Sequence, residues 1–294
     1  MTLTPNSDLD LITDQQLAPG LYLVATPIGN LQDITLRALS VLRRADLILC
    51  EDTRETGKLL SYYGIKKPLQ VYNDFSEHRE HGEIVRRIGA GEILALVSDA
   101  GMPLLSDPGY QLARAVIEAD LPVSSIPGAS AILSGLQLSG LPTDAFLFLG
   151  FLPTKTGERK KRLTDIAAVQ ASVILFERAQ RVIDVLGDVQ DVLGNRRVAV
   201  ARELTKLFED VRRGPVAEVI ADIESRPIKG EVVVVIDRGA AVSATDDESI
   251  IRALRTEMAD KSRRDAVDAV ASALNLPRRH VYDLSLNMDA DDQE

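Results

Sequence analysis

Five short apolar runs precede residue 130, and they lack the polar alternation of a strand with one wet face. They occupy 21–25, 46–50, 69–72, 93–97 and 123–126, and stretches with helical spacing over 35–44, 53–63, 80–88 and 107–119 separate them. A strand can dispense with alternation when both of its faces are buried, as in a parallel sheet covered by helices on either side. The strand–helix order predicts such a sheet, because parallel neighbours need a long crossover.

Gly140-Leu-Pro-Thr-Asp144 interrupts the series with turn formers, and a second set follows. Its strands are expected at 145–150, 173–176, 198–201, 207–212 and 231–236, with helices over 158–169, 179–186 and 216–224, which suggests a second α/β unit with a mixed sheet. Small and acidic residues from Arg238 to Asp247 read as a linker. Three helical stretches come after it, at 248–258, 263–274 and 277–287. Ala266, Val267, Val270, Ala271 and Leu274 share one face of the middle helix, and Asn275-Leu-Pro277 supplies a turn and a helix-starting proline. The last pair resembles a helix-turn-helix or is a plain structural appendage. The expected division is therefore a disordered acidic segment 1–19, α/β domains 20–140 and 141–240, a helical module 248–288 and an acidic tail 289–294.

Charge leaves nucleic acid open as a partner. The net charge of −10 becomes −3 once the three acidic residues before Gly20 and the four in 289–294 are set aside. Basic residues cluster at Lys155, Arg159, Lys160, Lys161 and Arg162, at Arg178 and Arg181, at Arg212 and Arg213, and at Arg278 and Arg279. Each cluster taken alone reads equally well as a solvated helix face. The single Cys50, the acidic start and the lack of a long apolar run predict a cytoplasmic protein without a membrane span or export signal.

Four expected strand ends carry polar residues and glycines that suggest one small-molecule site at a shared sheet edge. The first is Ala25-Thr-Pro-Ile-Gly-Asn-Leu31, which does not match the dinucleotide fingerprint. Glu51-Asp-Thr-Arg54 is the second, and there a helix cap by Asp52 or Thr53 competes with a role in a site. The third, Ser98-Asp-Ala-Gly-Met-Pro103, offers Asp99 as a hydrogen-bond acceptor and glycine for close backbone approach, while Ser106, Asp107 and Pro108 read as the cap and first turn of the next helix. The fourth, Ile126-Pro-Gly-Ala-Ser-Ala131, ends at a helix N-terminus suited to a carboxylate. No P-loop or G-x-S-x-G motif occurs, and His78, His81, His280 and Cys50 lack metal-ligand spacing, so no metal is expected.

Thr26-Pro-Ile-Gly-Asn-Leu31, Glu51-Asp-Thr-Arg54, Ser98-Asp-Ala-Gly101, Ser106-Asp-Pro-Gly109, Gly150-Phe-Leu-Pro153 and Arg202-Glu-Leu-Thr-Lys206 occur in this order. Together they resemble the ribosomal RNA small subunit methyltransferase I family, a branch of the tetrapyrrole methylase superfamily. The resemblance implies two α/β domains with S-adenosyl-L-methionine in the cleft between them, usually in a homodimer. It also implies 2′-O-methylation of a cytidine ribose in the decoding centre of 16S rRNA, with the 30S subunit as partner. Carried onto this sequence, it assigns cofactor binding to Pro27, Gly29, Asn30, Ser98, Asp99, Ala100, Gly101, Pro127, Gly128, Ala129 and Ser130. Arg54, Lys160, Lys161, Arg162, Glu177 and Arg181 are expected to face RNA. Glu203 and Lys206 are the candidates to bind or deprotonate the hydroxyl, although an inter-strand ion pair would also explain Arg202 and Glu203. The chain departs from the family pattern at Phe75, at Met102 and in Phe176-Glu-Arg-Ala-Gln-Arg181. A small-molecule methyltransferase and a non-catalytic ribosome-assembly factor are the alternative functions.

Overall fold

Side chains of the first five strands are shared between two buried faces. These strands are β1 (Gly20–Val24), β2 (Leu47–Cys50), β3 (Leu69–Val71), β4 (Ile93–Val97) and β5 (Val123–Ile126), paired in parallel in the order β3-β2-β4-β1-β5. Tyr22, Val24, Ile48, Cys50, Ala95 and Val97 join one core with α1 (Leu36–Arg44) and α2 (Thr53–Tyr62). Their neighbours Leu21, Leu47, Leu49, Leu94 and Leu96 join the other with α3 (Asp74–Gly89) and α4 (Tyr110–Glu118). Burial on both faces is why these runs are apolar without alternation.

A mixed sheet follows, in the order β6-β7-β10-β8-β9. It comprises β6 (Phe146–Phe151), β7 (Ser172–Arg178), β8 (Arg197–Arg202), β9 (Asp210–Pro215) and β10 (Glu231–Ile236), with β6 parallel to β7 and the other pairs antiparallel. Helices α6 (Thr156–Asp165), α7 (Val182–Leu193) and α8 (Val216–Ser225) cover one face. The other face is covered by α5 (Ala131–Ser139), which precedes the Gly140 turn and follows directly from β5. Ile132 and Leu136 of α5 pack on Ile174, Ala199, Val233 and Val235. The packing is close enough that a Cβ on Gly135 would lie 2.6 Å from Val233 Cγ1. One helix thus spans from the end of the first sheet to the face of the second.

The structure, a computed structural model, describes residues 17–239, 247–259, 261–274 and 278–291. The expectations for 1–16, for most of the linker, for the Asn275–Pro277 turn and for the end of the acidic tail lie outside them, as do the side chains of Phe75 and His78. Packing separates the chain after Asp237. Beyond that point α9 (Asp247–Met258), α10 (Arg263–Ala273) and α11 (Arg278–Asp291) share a core of Ile250, Leu254, Val267, Val270, Val281, Leu284 and Met288. None of the described helices is long and apolar enough to cross a membrane.

Two expectations are corrected. The strand placed at 207–212 begins at Asp210, because 203–209 forms consecutive turns. The helix placed at 107 begins at Tyr110, with Gly109 at its N-cap in left-handed backbone (φ 118°), so Ser106 does not cap it. Gly135→Ala tests the α5 contact. Alanine ordinarily stabilises a helix by about 1 kcal/mol over glycine, but overpacking against Val233 should reverse the sign and lower stability by about 1–3 kcal/mol in urea unfolding. Equal or greater stability of the variant would show that α5 is not tightly seated.

Candidate active site

The loops at the carboxyl edge of the first sheet are tied to one another. Thr26 and Gly101 exchange backbone hydrogen bonds of 2.8 and 3.0 Å, and the Thr26 hydroxyl donates to the Ser98 carbonyl at 3.1 Å. Gly101 has φ +83°, where other residues are strained, and a Cβ there would stand 3.3 Å from an Ile28 methyl. Asp99 Oδ1 accepts the Asp52 N–H at 3.2 Å, which joins the loops after β4 and β2. Asp52 caps α2 by accepting the Arg54 N–H, and hydrogen bonds from Arg54 hold its carboxyl down at about 2.

Residues 203–209, between β8 and β9, meet these loops from the second half. The Thr205 hydroxyl accepts the Asn30 N–H at 3.1 Å, and Lys206 lies across Gly29 so closely that a Cβ on residue 29 would come within 2.6 Å of Lys206 Cγ. Lys206 Nζ pairs with Glu203 Oε1 at 3.1 Å. Glycine at 29 is therefore the seat of the lysine chain.

Between these loops lies a cleft of about 560 Å3. Asp99, Ala100, Gly101 and Met102 line it on one side, with Ser130 at the start of α5, and Glu203, Leu204 and Lys206 line it on the other. Ile28, Phe151, Phe176 and Val233 give it apolar wall. The carboxylates of Glu51, Asp107 and Glu231 also border it. Burial raises the Asp107 carboxyl above the ordinary aspartate value, the Ser98 hydroxyl opposes the shift, and the Asp99 and Glu231 charges add to it. Asp99 is also raised, chiefly by burial and further by the Asp52 and Glu55 charges, while the Asp52 N–H and Arg54 lower it. The site disfavours further negative charge and suits a cationic small molecule.

Of the expected small-molecule residues, Asp99, Ala100, Gly101 and Ser130 line the cleft. Ser98 is buried behind them, and Asn30 caps the turn Leu31–Asp33 through its side chain. Pro27, Gly128 and Ala129 do not line it, nor does Pro127; a Cβ on Gly128 would sit 2.9 Å from Ala25 Cβ. Glu203 and Lys206 pair with each other, and Arg202 pairs with Asp210 across the strands at 3.5 Å, not with Glu203.

The residues expected to face RNA are scattered. Arg54, Lys161 and Arg162 are exposed. Lys160 pairs with Asp191 at 2.7 Å, and its neighbour Arg159 is a core residue bound to Asp188 at 2.5 Å. Glu177 does not face solvent, with 1% side-chain exposure, and Arg181 lies 3.4 Å from it and donates to the Leu152 and Pro153 carbonyls. Arg181 thereby holds the loop after β6 in place. Sequence reasoning missed Ile28, Phe151, Phe176 and Glu231 and misread Asp107 as a helix-start residue. Phe151 belongs to the Gly150-Phe-Leu-Pro153 motif, but its place in the cleft depends on the second sheet facing the first.

Two α/β layers joined by one helix, with a cleft at the carboxyl edge of the parallel sheet, define the class. The family of tetrapyrrole (corrin/porphyrin) methylases matches residues 20–220. Cobalt precorrin-4 methyltransferase shares the fold (TM-score 0.55, 17% identity, 74% of this chain and 94% of that one). So does uroporphyrin-III C-methyltransferase of Thermus thermophilus complexed with S-adenosyl homocysteine (TM-score 0.52, 19% identity, 74% and 97%). Sequence likeness is much higher to ribosomal RNA small subunit methyltransferase I of Erythrobacter litoralis, 47% identical over 93% of this chain and 97% of that protein. The corresponding protein of Rickettsia prowazekii is 44% identical over 77% and 81%. The chain belongs to the ribosomal RNA small subunit methyltransferase I family within the tetrapyrrole methylases.

Asp107 makes the electrostatics of the cleft measurable. Its raised folded value means that ionisation opposes folding, so this contribution to stability is present at low pH and is lost as pH rises through that value. Asp107→Asn should therefore raise the thermal midpoint at pH 7 and remove the corresponding pH dependence. A lower midpoint at pH 7 would mean that the charge is compensated in the fold.

Proposed function

We propose that this chain transfers a methyl group from S-adenosyl-L-methionine to the ribose 2′-hydroxyl of a cytidine in the decoding centre of 16S rRNA. At the coarser level it is an S-adenosylmethionine-dependent methyltransferase of small-subunit ribosomal RNA, as its family membership entails. The observation that carries the finer reading is the Glu203–Lys206 ion pair, held across one cleft from the Asp99–Gly101 loop.

The cleft suits the cofactor. Its volume of about 560 Å3 lies in the usual range for small-molecule sites. Asp99 can accept from hydroxyl or amino groups, the Ile28, Phe151 and Phe176 walls offer apolar contact for a purine, and the surrounding carboxylates suit ammonium and sulfonium charges. S-adenosylmethionine supplies a methyl group already activated by its sulfonium, so in-line positioning matters more than acid catalysis at the leaving group. A ribose hydroxyl is a weak nucleophile. Glu203 accepts its proton, and Lys206 balances the charge that develops on the oxygen. The same carboxylates repel a phosphate backbone from the interior, so RNA inserts one sugar into the cleft while exposed cations such as Lys161 and Arg162 hold phosphates outside. Action as a cytoplasmic homodimer on the 30S subunit, with the C-terminal helices aiding substrate engagement, belongs to the same proposal.

Labelled cofactor offered with 30S subunits, free 16S rRNA and a precorrin decides the substrate. Digestion of the labelled RNA should yield 2′-O-methylcytidine; a methylated base, or label in the precorrin alone, would overturn the proposal. Lys206→Met and Gly29→Ala should each lower kcat, on the order of 10²-fold for the first, with little change in cofactor affinity by calorimetry. Unchanged kcat in both would remove Lys206 from the reaction. Lys161→Ala combined with Arg162→Ala should weaken RNA binding and lower the slope of log K against log salt by up to about 2. An unchanged slope assigns these two residues to a merely solvated helix face.

A further inference from the structure

The segment that carries Glu203 and Lys206 also carries the two most exposed large apolar side chains among the described residues, Leu207 at 89% and Phe208 at 68%. Their exposure follows from the backbone. Lys206 N–H donates to the Glu203 carbonyl at 3.0 Å and Glu209 N–H to the Lys206 carbonyl at 3.1 Å, so two turns follow each other and Leu207 and Phe208 occupy the corners of the second. Turn corners usually carry Gly, Pro, Asn, Asp or Ser, and here they carry a leucine and a phenylalanine.

This corner is held in place. The Thr205 N–H donates to Glu209 Oε2 at 2.7 Å, the Thr205 hydroxyl accepts the Asn30 N–H, and Leu204 is buried while Leu207 and Phe208 are not. Glu203 and Thr205 adopt left-handed backbone at φ 50° and 65°, a conformation that the surrounding contacts must maintain. A rigid loop therefore presents an aromatic ring two residues from a lysine of the cleft wall.

We infer that Phe208 is a stacking platform for an unpaired nucleobase of the RNA substrate, seated at the rim while the neighbouring sugar enters the cleft. An unstacked base offers a flat π face, and aromatic side chains are the usual groups that receive it. The carboxylate-lined interior leaves the rim as the place where RNA can be gripped without bringing phosphates inside. The inference rests on the proposed RNA substrate and adds a substrate-positioning residue to it.

The test compares Phe208→Ala, Phe208→Leu and Phe208→Trp in the full-length protein, with 30S subunits and free 16S rRNA as substrates. The Ala and Leu variants should raise KM for RNA about tenfold, the scale of one lost stacking contact. Trp should restore the wild-type value, and cofactor affinity and sedimentation mass should stay unchanged in all three. Full activity of the Leu variant would overturn stacking, since leucine keeps the apolar surface and loses the π face. A fall in sedimentation mass would overturn it in favour of a contact between two copies of the chain. Wild-type protein that methylates no RNA would sink the proposed function and this inference together, whereas active wild type with an equally active Ala variant would sink the inference alone.

Discussion

The burial of α5 against the second sheet is the contact on which the site depends. α5 starts at the loop after β5, whose Ser130 lines the cleft, and buries Ile132 and Leu136 on strands of the mixed sheet. Hydrophobic burial of this kind is non-directional, but Gly135 against Val233 makes it specific, because the helix can approach β10 only where a side chain is missing. With that helix fixed, the loops after β1, β4 and β5 must face the loop after β8. The cleft is the space this leaves.

Strain and charge collect in the same place. Five non-glycine residues have left-handed backbone among the described residues, and four of them, Leu104, Ser106, Glu203 and Thr205, lie in the two loops that face each other across the cleft. Such conformations persist only when neighbouring contacts over-determine them, and here the Thr26–Gly101 bridge and the Thr205–Asn30 hydrogen bond do so. Burial, with neighbouring carboxylates, also raises both Asp99 and Asp107 beside the same cleft. Their ionisation opposes folding, and a cation bound beside them would relieve that repulsion.

Much of the fold was legible because burial leaves a local mark. Apolar runs without alternation reported two covered faces, and Asp52 announced the start of α2 through a cap whose partners lie within two residues. The errors have equally physical causes. Ser106, Asp107 and Pro108 have the composition of a helix start, but left-handed backbone at Ser106 and Gly109 delays α4 and turns Asp107 into the cleft. Leu207 and Phe208 have strand propensity, and the turn hydrogen bonds of residues 203–209 override it.

By itself the sequence determined the type and order of most of the elements and the glycine-bearing loops at one sheet edge, while Glu203 and Lys206 stood out through the resemblance to a family. The elements and loops follow from interactions between residues close in the chain, or from a hydrophobic pattern that any sheet of this class must satisfy. Only tertiary structure decided which charges are available for function. Arg181 and Lys160 are cations like the exposed Lys161, yet the first holds a loop and the second is paired with acids on α7, while Glu177 is buried. It also decided that Gly29 seats a lysine 177 positions further along the chain. The physical reason is common to both: whether a charge is solvated, and what fills the space beside a glycine, depend on surfaces brought together by distant parts of the chain.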